Sequence, residues 1–161
     1  MELYHNLKRI NIDELFPDFD RPPKFKKTIH KYFPLDENYL TKKFIKFWNP
    51  KIAIFIESEI WPNMFNNLYK KNIPIILINS RMTKKSFKRW IKFPKFSKNV
   101  FSKISLGLPQ NKESEIYLKK LGVKKIKLVG NLKYFGETKN KINLNLKKLF
   151  RKRKIFCCAS T

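Results

Sequence analysis

The chain has 161 residues, which is enough for one domain with a substantial core and too few for two domains of ordinary size. Its 37 basic and 12 acidic residues give a formal net charge of +25, a value that draws attention to nucleic acids, anionic membranes and phosphorylated substrates. All but six of the basic residues are lysine, whereas arginine is the side chain that reads phosphates and base edges bidentately, so the charge alone is weak support for nucleic-acid binding.

The cysteines and the hydropathy pattern bear on the compartment. Cys157 and Cys158 are adjacent, and neighbours on a strand point to opposite faces, so they are poorly placed to form a disulfide and fit a reducing cytoplasm. No apolar run approaches the roughly 20 residues needed to span a bilayer, and the N-terminus lacks the apolar core of a signal peptide. We therefore expect a protein that is soluble or rests on a membrane surface.

The first fifty residues have an irregular pattern. "DFDRPPKFKK" (18–27) is charged and predicts turns, because its two prolines exclude a regular element. "HKYFPLDEN" (30–38) predicts an extended segment that leads into a helix at "YLTKKFIKFW" (39–48).

From residue 50 onward, short apolar segments alternate with amphipathic ones. The predicted strands are residues 51–56, 73–80, 102–108, 124–130 and 154–160, and the predicted helices are residues 62–72, 83–93, 111–122 and 144–150. Pro62 suits a first helical turn, Pro94 ends the second of these helices, Asn111 is a candidate N-cap and Gly122 a stop signal. This alternation predicts right-handed crossovers and a parallel sheet, so the fold class is α/β, Rossmann-like.

Polar side chains lie at or just after the carboxyl end of each predicted strand. In chain order they are Glu57 and Glu59, Asn79 and Arg81, Gln110, Asn131 and Lys133, and Ser160 and Thr161. Ligands of open α/β sheets bind beyond the carboxyl ends of the strands. We therefore predict that these residues contribute to one binding site.

Glu57 and Glu59 admit two interpretations. If the chain stays extended, both carboxylates lie on one side, where each raises the pKa of the other unless a cation such as Arg81 intervenes. Alternatively, Glu59 caps a helix and Glu57 forms a structural ion pair. Trp61 either lines a ligand site or packs in the core, and its spacing favours the core.

The sequence gives little support for a catalytic triad, a metal site or a phosphate-binding loop. His30 and Asp36 flank "KYFPL", but no Ser or Cys is spaced to complete a catalytic triad. No metal site or cofactor is predicted, because two histidines and two adjacent cysteines make no recognised ligand set and the chain lacks a glycine-rich phosphate loop. The lysines and aromatic residues of 83–101 fit either contact with an anionic membrane or an ordinary helix that covers the sheet.

Four motifs in order carry a resemblance to a known family. They are "ESEIWPN", "IPIILINSRMTKKSFKRW", "LPQNKESEIYLKKLGVKKIKLVGNLKY" and "CCAST". Together they resemble the 3-deoxy-D-manno-octulosonic acid (Kdo) transferases, GT-B glycosyltransferases of lipopolysaccharide core assembly. The resemblance runs from about Thr28 to Thr161 and begins with "IHKYFPLD", a His-x-x-x-Pro-x-Asp stretch similar to one in the family. It implies an unmatched segment at 1–27, a partial acceptor-binding Rossmann-like domain at 28–138, and a linker with the first strand of a truncated donor-binding domain at 139–161.

The resemblance also implies an activity. Such enzymes transfer Kdo from CMP-Kdo to a hydroxyl of a lipid A precursor at the cytoplasmic face of the bacterial inner membrane, without a required metal. On this pattern the side chains that line the acceptor are Glu57, Glu59, Trp61, Asn79 and Arg81. Gly130, Asn131 and Lys133 would lie at the strand end that leads into the linker, and Ser160 and Thr161 would open the first donor-domain loop.

The sequence departs from the family at both ends. The family's general base is a glutamate in an upstream "SxGE" loop, a motif this sequence lacks, and the family continues past the position of Thr161 with nearly the whole donor domain. We therefore expect an incomplete N-terminal domain that has little activity alone. The alternatives are a small basic protein that binds nucleic acid or anionic surfaces, a related GT-B transferase with another donor, and a gene remnant. The resemblance itself implies no specific nucleic-acid partner.

Overall fold

A computed structural model describes residues 33–132 and the strand at 155–158. The irregular segment predicted at 18–27, His30 and the helix predicted at 144–150 lie outside these residues. The elements in chain order are α1 (Asn38–Trp48), β1 (Ile52–Ile56), α2 (Pro62–Lys70), β2 (Ile75–Ser80), α3 (Lys84–Ile91), α4 (Pro94–Phe101), β3 (Leu106–Pro109), α5 (Lys112–Leu121) and β4 (Ile155–Cys158).

The strands form one parallel sheet in the order β3-β2-β1-β4. Each connection between β1, β2 and β3 contains at least one helix, which is the crossover arrangement that parallel neighbours require. The prediction of an α/β fold built on a parallel sheet is confirmed.

The main core lies on one face of the sheet. Ala53 and Phe55 from β1 and Ile75 and Leu77 from β2 are almost fully buried there, against side chains of α1, α2, α4 and α5. The alternate residues of these strands, with Leu108, form a second cluster on the other face. Because successive side chains of a strand alternate between faces, this arrangement explains the unbroken apolar sequence of β1.

Helix α5 forms as the sequence predicts. The Asn111 side chain accepts a hydrogen bond from the Ser114 amide at 2.8 Å, and Gly122 ends the helix with φ of +114°. Acidic residues occupy the first turn and lysines the last, so both ends complement the helix dipole. Leu118 and Leu121 bury the inner face of the helix in the main core.

The structure differs from the prediction between β2 and β3. A single helix was predicted at 83–93, but the chain forms α3 and then a second helix, α4. Pro94 does end α3, yet it also occupies the first position of α4, where its missing N–H costs nothing and its fixed φ suits a helix. The proline was therefore interpreted correctly as a stop and missed as a start.

Residues 124–130 do not form a full strand. Ile126 forms one parallel bridge with Gly107, and the Val129 amide donates to the Pro109 carbonyl at 3.3 Å. A Cβ on Gly107 would lie 3.3 Å from Val123 Cγ1, so the absence of a side chain at this position lets the segment approach β3 closely. The predicted fourth strand thus lies beside β3 with reduced pairing.

Strand β4 is the outer strand next to β1, on the side of the sheet away from β3. Ile155 pairs with Ile52 and Cys158 with Phe55 in a parallel register. The sequence analysis assigned this strand to a second domain, whereas the structure places it in the same sheet. The apolar strand satisfies the backbone groups along the outer edge of β1, which would otherwise lack partners. The position of the domain boundary stays a prediction.

Candidate binding site at the carboxyl edge of the sheet

Hydrogen bonds join the segments that follow β1, β2 and β3. The Glu57 amide donates to the Ile78 carbonyl at 2.9 Å, and the Ser58 hydroxyl donates to the Arg81 carbonyl at 2.7 Å. The Gln110 amide donates to the Ser80 carbonyl at 3.1 Å. These contacts place the three strand ends side by side.

A fourth segment joins the same edge through Asn79. This side chain is only 4% exposed, and its Oδ1 accepts a hydrogen bond from the Leu132 amide at 3.2 Å. Leu132 directly follows Asn131, so the end of the 124–130 segment lies against the end of β2. Glu57, Arg81 and Asn131 are thereby brought to one edge with Gln110. Their role in binding stays a prediction.

Backbone conformations at this edge are unusual. Glu57 has φ of +61° and Asn79 has φ of +51°. Among the described residues, Glu57 is the only residue other than Asn or Gly with a positive φ. Such conformations carry strain and concentrate at functional sites. They also end the extended conformation at Glu57, so the condition for placing Glu57 and Glu59 on the same side is not met.

Glu59 and Trp61 form a local pair. The Trp61 indole N–H donates to Glu59 Oε2 at 2.7 Å, while the Trp61 ring lies 4.7 Å from the Phe33 ring and packs on the main core. Trp61 is therefore partly a core residue, as its spacing favours. Glu59 does not cap α2, because the N-cap position belongs to Trp61 and has no side-chain cap.

Arg81 contacts the loop after β1 through its backbone. The backbone carbonyl of Arg81 accepts the Ser58 hydroxyl, and the residue is exposed. One of the two interpretations of the sequence offered its guanidinium as the cation between Glu57 and Glu59.

Asp36 organises the start of α2. Its two carboxylate oxygens accept the Asn63 amide at 3.0 Å and the Met64 amide at 2.8 Å, two of the groups that a helix N-terminus leaves without partners. Its backbone carbonyl accepts the Asn63 side-chain amide at 2.5 Å. The His-x-x-x-Pro-x-Asp stretch thus supplies a helix cap from 27 residues away, a structural role the sequence analysis did not assign.

Three of the predicted site residues, Lys133, Ser160 and Thr161, lie outside the described residues. Within the described part of the chain, no cluster of three His, Cys, Asp or Glu residues is arranged to hold a metal ion. No helix in that part is long and apolar enough to cross a bilayer.

A separate groove lies between α2 and α4. It encloses about 160 Å³ and is lined by Pro62, Asn63, Asn66, Phe96, Asn99, Val100 and Lys103. The Lys103 ammonium donates to the Asn99 carbonyl at 2.7 Å, and partial burial, followed by the nearby charge of Lys70, lowers the pKa of Lys103. None of the predicted site residues lines this groove.

Comparison with known proteins decides the family. Residues 14–135 match the family model described as 3-deoxy-D-manno-octulosonic-acid transferase (kdotransferase). The chain belongs to this kdotransferase family. The match begins upstream of Thr28, where the sequence analysis placed its start, and it includes the whole edge from Glu57 to Asn131.

Curated relatives agree with this assignment. The chain is 34% identical over 120 residues to the 3-deoxy-D-manno-octulosonic acid transferase of Rickettsia typhi, a match covering 74% of this chain and 25% of the relative. It is 36% identical over 115 residues to the enzyme of the same name from Haemophilus influenzae, covering 70% and 27%. A bifunctional glycosyltransferase/methyltransferase of Fusobacterium nucleatum is 31% identical over 138 residues, covering 81% and 21%.

The chain thus spans about a quarter of the length of these relatives. No solved structure matches it significantly. The family assignment therefore rests on sequence similarity, and the fold and edge geometry come from the structure itself.

Proposed function

We propose that this chain forms the acceptor-binding part of an enzyme that transfers Kdo from CMP-Kdo to a hydroxyl of a lipid A precursor. A sugar donor and a lipid acceptor are the general expectation for a kdotransferase. The observation that carries the proposal is the convergence of the segments after β1, β2, β3 and residue 126 on one edge, joined by hydrogen bonds of 2.7–3.2 Å.

The chemistry of this edge suits a sugar with anionic substituents. Gln110 and Asn131 are partly exposed amides that can donate to and accept from sugar hydroxyls. Arg81 supplies an exposed cation whose planar fork matches a phosphate or a carboxylate. Glu59 is oriented by the Trp61 indole, so one of its oxygens is engaged before any ligand arrives.

In the family, Kdo transfer also needs groups that do not come from this edge of the sheet. A general base must take the proton of the acceptor hydroxyl, and cationic or dipolar groups must stabilise the departing CMP phosphate. The sequence lacks the "SxGE" motif that carries the base in the family resemblance. We therefore propose that the chain alone binds acceptor and is inactive or very slow in transfer.

A transfer assay tests this directly. The purified chain is incubated with CMP-Kdo and a lipid A precursor, beside the Haemophilus influenzae relative as positive control. We expect acceptor binding without Kdo-containing product above the enzyme-free background. Product at a rate near that of the relative would overturn the proposed inactivity, and absence of acceptor binding would overturn the proposed function.

Arg81→Gln tests the proposed acceptor contact. Loss of one charge-assisted hydrogen bond to an anion corresponds to roughly 10- to 100-fold weaker binding of the lipid A precursor. Lys51→Gln is the charge-matched control. Lys51 is exposed and directly precedes β1, so it lies at the amino ends of the strands, away from the carboxyl edge. Equal binding by the two variants, measured by titration in detergent, would remove Arg81 from the site.

The cellular location forms part of the proposal. A lipid acceptor and a nucleotide-sugar donor meet where a membrane faces the cytoplasm, so we place the protein on the cytoplasmic face of the bacterial inner membrane, in peripheral contact with anionic lipid. Fractionation of cells that express the chain tests this placement, with recovery in the inner-membrane fraction expected and recovery only in the soluble fraction against it.

A further inference from the structure

The groove between α2 and α4 has an unusual composition for a place where two helices meet. Its lining residues recur at intervals of three or four, from 62 to 66 on α2 and from 96 to 103 on and just after α4, so they belong to the two facing sides. Facing helices ordinarily bury apolar side chains against each other. Here three apolar side chains are joined by four polar ones, which are Asn63, Asn66, Asn99 and Lys103.

Structural contacts account for the other asparagines of α2 but not for Asn66. The Asn63 side chain donates to the Asp36 carbonyl at 2.5 Å, and the Asn67 side chain donates to Thr41 Oγ1 at 2.7 Å. Asn66 is half-buried, and its side chain makes no hydrogen bond with another described residue. Asparagine is a poor helix former, and an amide held away from water without a partner is costly. A ligand that bonds to this amide would account for its position.

The α4 side of the groove also has hydrogen-bonding groups to spare. The Lys103 ammonium donates to both the carbonyl and the Oδ1 of Asn99, which leaves one ammonium N–H and the Asn99 NH2 group without a partner among the described residues. No aspartate or glutamate of the described part of the chain lines the groove. An anion facing Lys103 would offset the partial burial that lowers the pKa of this lysine.

We propose that the α2–α4 groove binds one pyranose ring that carries a carboxylate or a phosphate. Its volume of about 160 Å³ is below the roughly 300–1,000 Å³ of a pocket for a drug-sized ligand, so it suits a single sugar ring. The amides match sugar hydroxyls, because both groups donate and accept hydrogen bonds. Pro62 and the half-exposed Phe96 ring offer apolar surface to the C–H face of the sugar, and Lys103 pairs with its acidic group.

The groove is separate from the candidate site at the sheet edge. One end, at Pro62 and Asn63, begins α2 just after the loop that follows β1, and the other end, at Lys103, lies three residues before β3. The groove therefore runs from the carboxyl edge toward the amino ends of the strands. The inference goes beyond the proposed function and does not depend on it, because no residue predicted to hold the acceptor lines the groove.

Titration of the nitrogen-15-labelled full chain tests the chemical class of the ligand. The probes are glucose, glucuronate, glucose 1-phosphate and inorganic phosphate, and binding is read from the NMR signals of the asparagine side-chain amides. We expect the two acidic sugars to shift the Asn66 signal and to bind about tenfold more tightly than glucose or inorganic phosphate. A response to one acidic sugar alone would support the proposal and identify the anionic group. An unshifted Asn66 signal, or equal binding of glucose or inorganic phosphate, would overturn it.

Two variants locate the site. Asn66→Ala is expected to weaken binding of the acidic sugars about tenfold with an unchanged urea midpoint, because no hydrogen bond to a described residue depends on its side chain. Lys103→Gln is expected to abolish the preference for acidic sugars and to leave glucose binding unchanged. The controls are Tyr69→Ala and Lys95→Gln, exposed residues of the same two helices that do not line the groove. Equal loss in the controls, or no loss in either groove variant, would refute the assignment.

Arg81→Gln separates this proposal from the proposed function. The variant is expected to bind glucuronate as the unmodified chain does, because Arg81 does not line the groove. Loss of glucuronate binding in this variant would place the sugar at the sheet edge and refute the groove site. Failure of the unmodified chain to bind the lipid A precursor, with acidic sugars still shifting the Asn66 signal, would refute the proposed function and leave the groove site intact.

Discussion

Asp36, Ser58 and Asn79 each make a hydrogen bond to a backbone group that lies 23 to 53 residues away. Asp36 fixes the start of α2, Ser58 joins the loops after β1 and β2, and Asn79 attaches the segment that follows α5. At the scale of the residue, these three side chains set the positions of the groups at the carboxyl edge. Their loss should disturb the edge before it disturbs the core.

Asp36→Ala should destabilise the fold through α2. The substitution leaves two helix N–H groups without their carboxylate acceptor, so we expect the free energy of unfolding to fall by about 1–2 kcal/mol, measured by urea denaturation. Asp36→Asn keeps one acceptor oxygen and should cost less. An unchanged urea midpoint in the alanine variant would show that the cap adds nothing to stability.

Residue roles of this kind are only partly visible in sequence. The strand-end positions of Glu57, Asn79 and Gln110 follow from periodicity, because parallel strands present their carboxyl ends to one edge. The Asp36 cap and the Ser58 contact do not, since each depends on a partner more than twenty residues away. The positive φ of Glu57 could not be predicted either, because nothing in the local sequence indicates a left-handed backbone conformation at a glutamate.

At the scale of the element, α3 differs from the other described helices because it buries no residue. The 3/4 spacing of Phe87, Trp90 and Ile91 predicted an amphipathic helix, and the helix forms. Its apolar face divides: Phe87 and Trp90 turn toward the molecule, and Ile91 remains 47% exposed. Periodicity identifies the helix but cannot show which part of an apolar face finds a protein partner.

Phe87→Ala should release α3 locally. The stack of Phe87 on Tyr117 is one of three aromatic contacts that join α3 to its neighbouring helices, so we expect faster amide hydrogen exchange in residues 84–91 with little change in β1 and β2. Lys85→Ala, at an exposed position of the same helix, is the matched control. Uniform acceleration across the sheet would mean that α3 unfolds only with the whole protein.

At the scale of the whole molecule, the parallel sheet could be predicted because strand and helix patterns alternate regularly. The sequence did not predict which segments form the outer strands of the sheet. Residues 124–130 read as a full strand but form one bridge, and Ile155–Cys158, assigned from the sequence to another domain, pairs with β1. Edge positions depend on which backbone groups remain unpaired after the centre of the sheet has formed, and this information is not local.

Phe156→Pro tests the contribution of β4 to the solution state. Phe156 is the register partner of Ala53, and proline at this position removes a backbone donor from β4. Because the pairing of β4 with β1 is then weaker, the edge of β1 should become available to other molecules. We expect concentration-dependent association, measured by light scattering after size-exclusion chromatography. Phe156→Val keeps the N–H group and should behave as the unmodified chain does. A monomeric proline variant at every concentration would contradict a protective role for β4.

Photo-crosslinking of a lipid A precursor tests the central claim most directly, namely that the carboxyl edge of the sheet holds the acceptor. In one variant a photoreactive amino acid replaces Lys112, which is exposed and two residues after Gln110. In the other it replaces Lys51, which is exposed and lies at the amino end of β1. The account predicts acceptor labelling from position 112 and little labelling from position 51. Labelling from position 51 alone, or equal labelling from both positions, would contradict it.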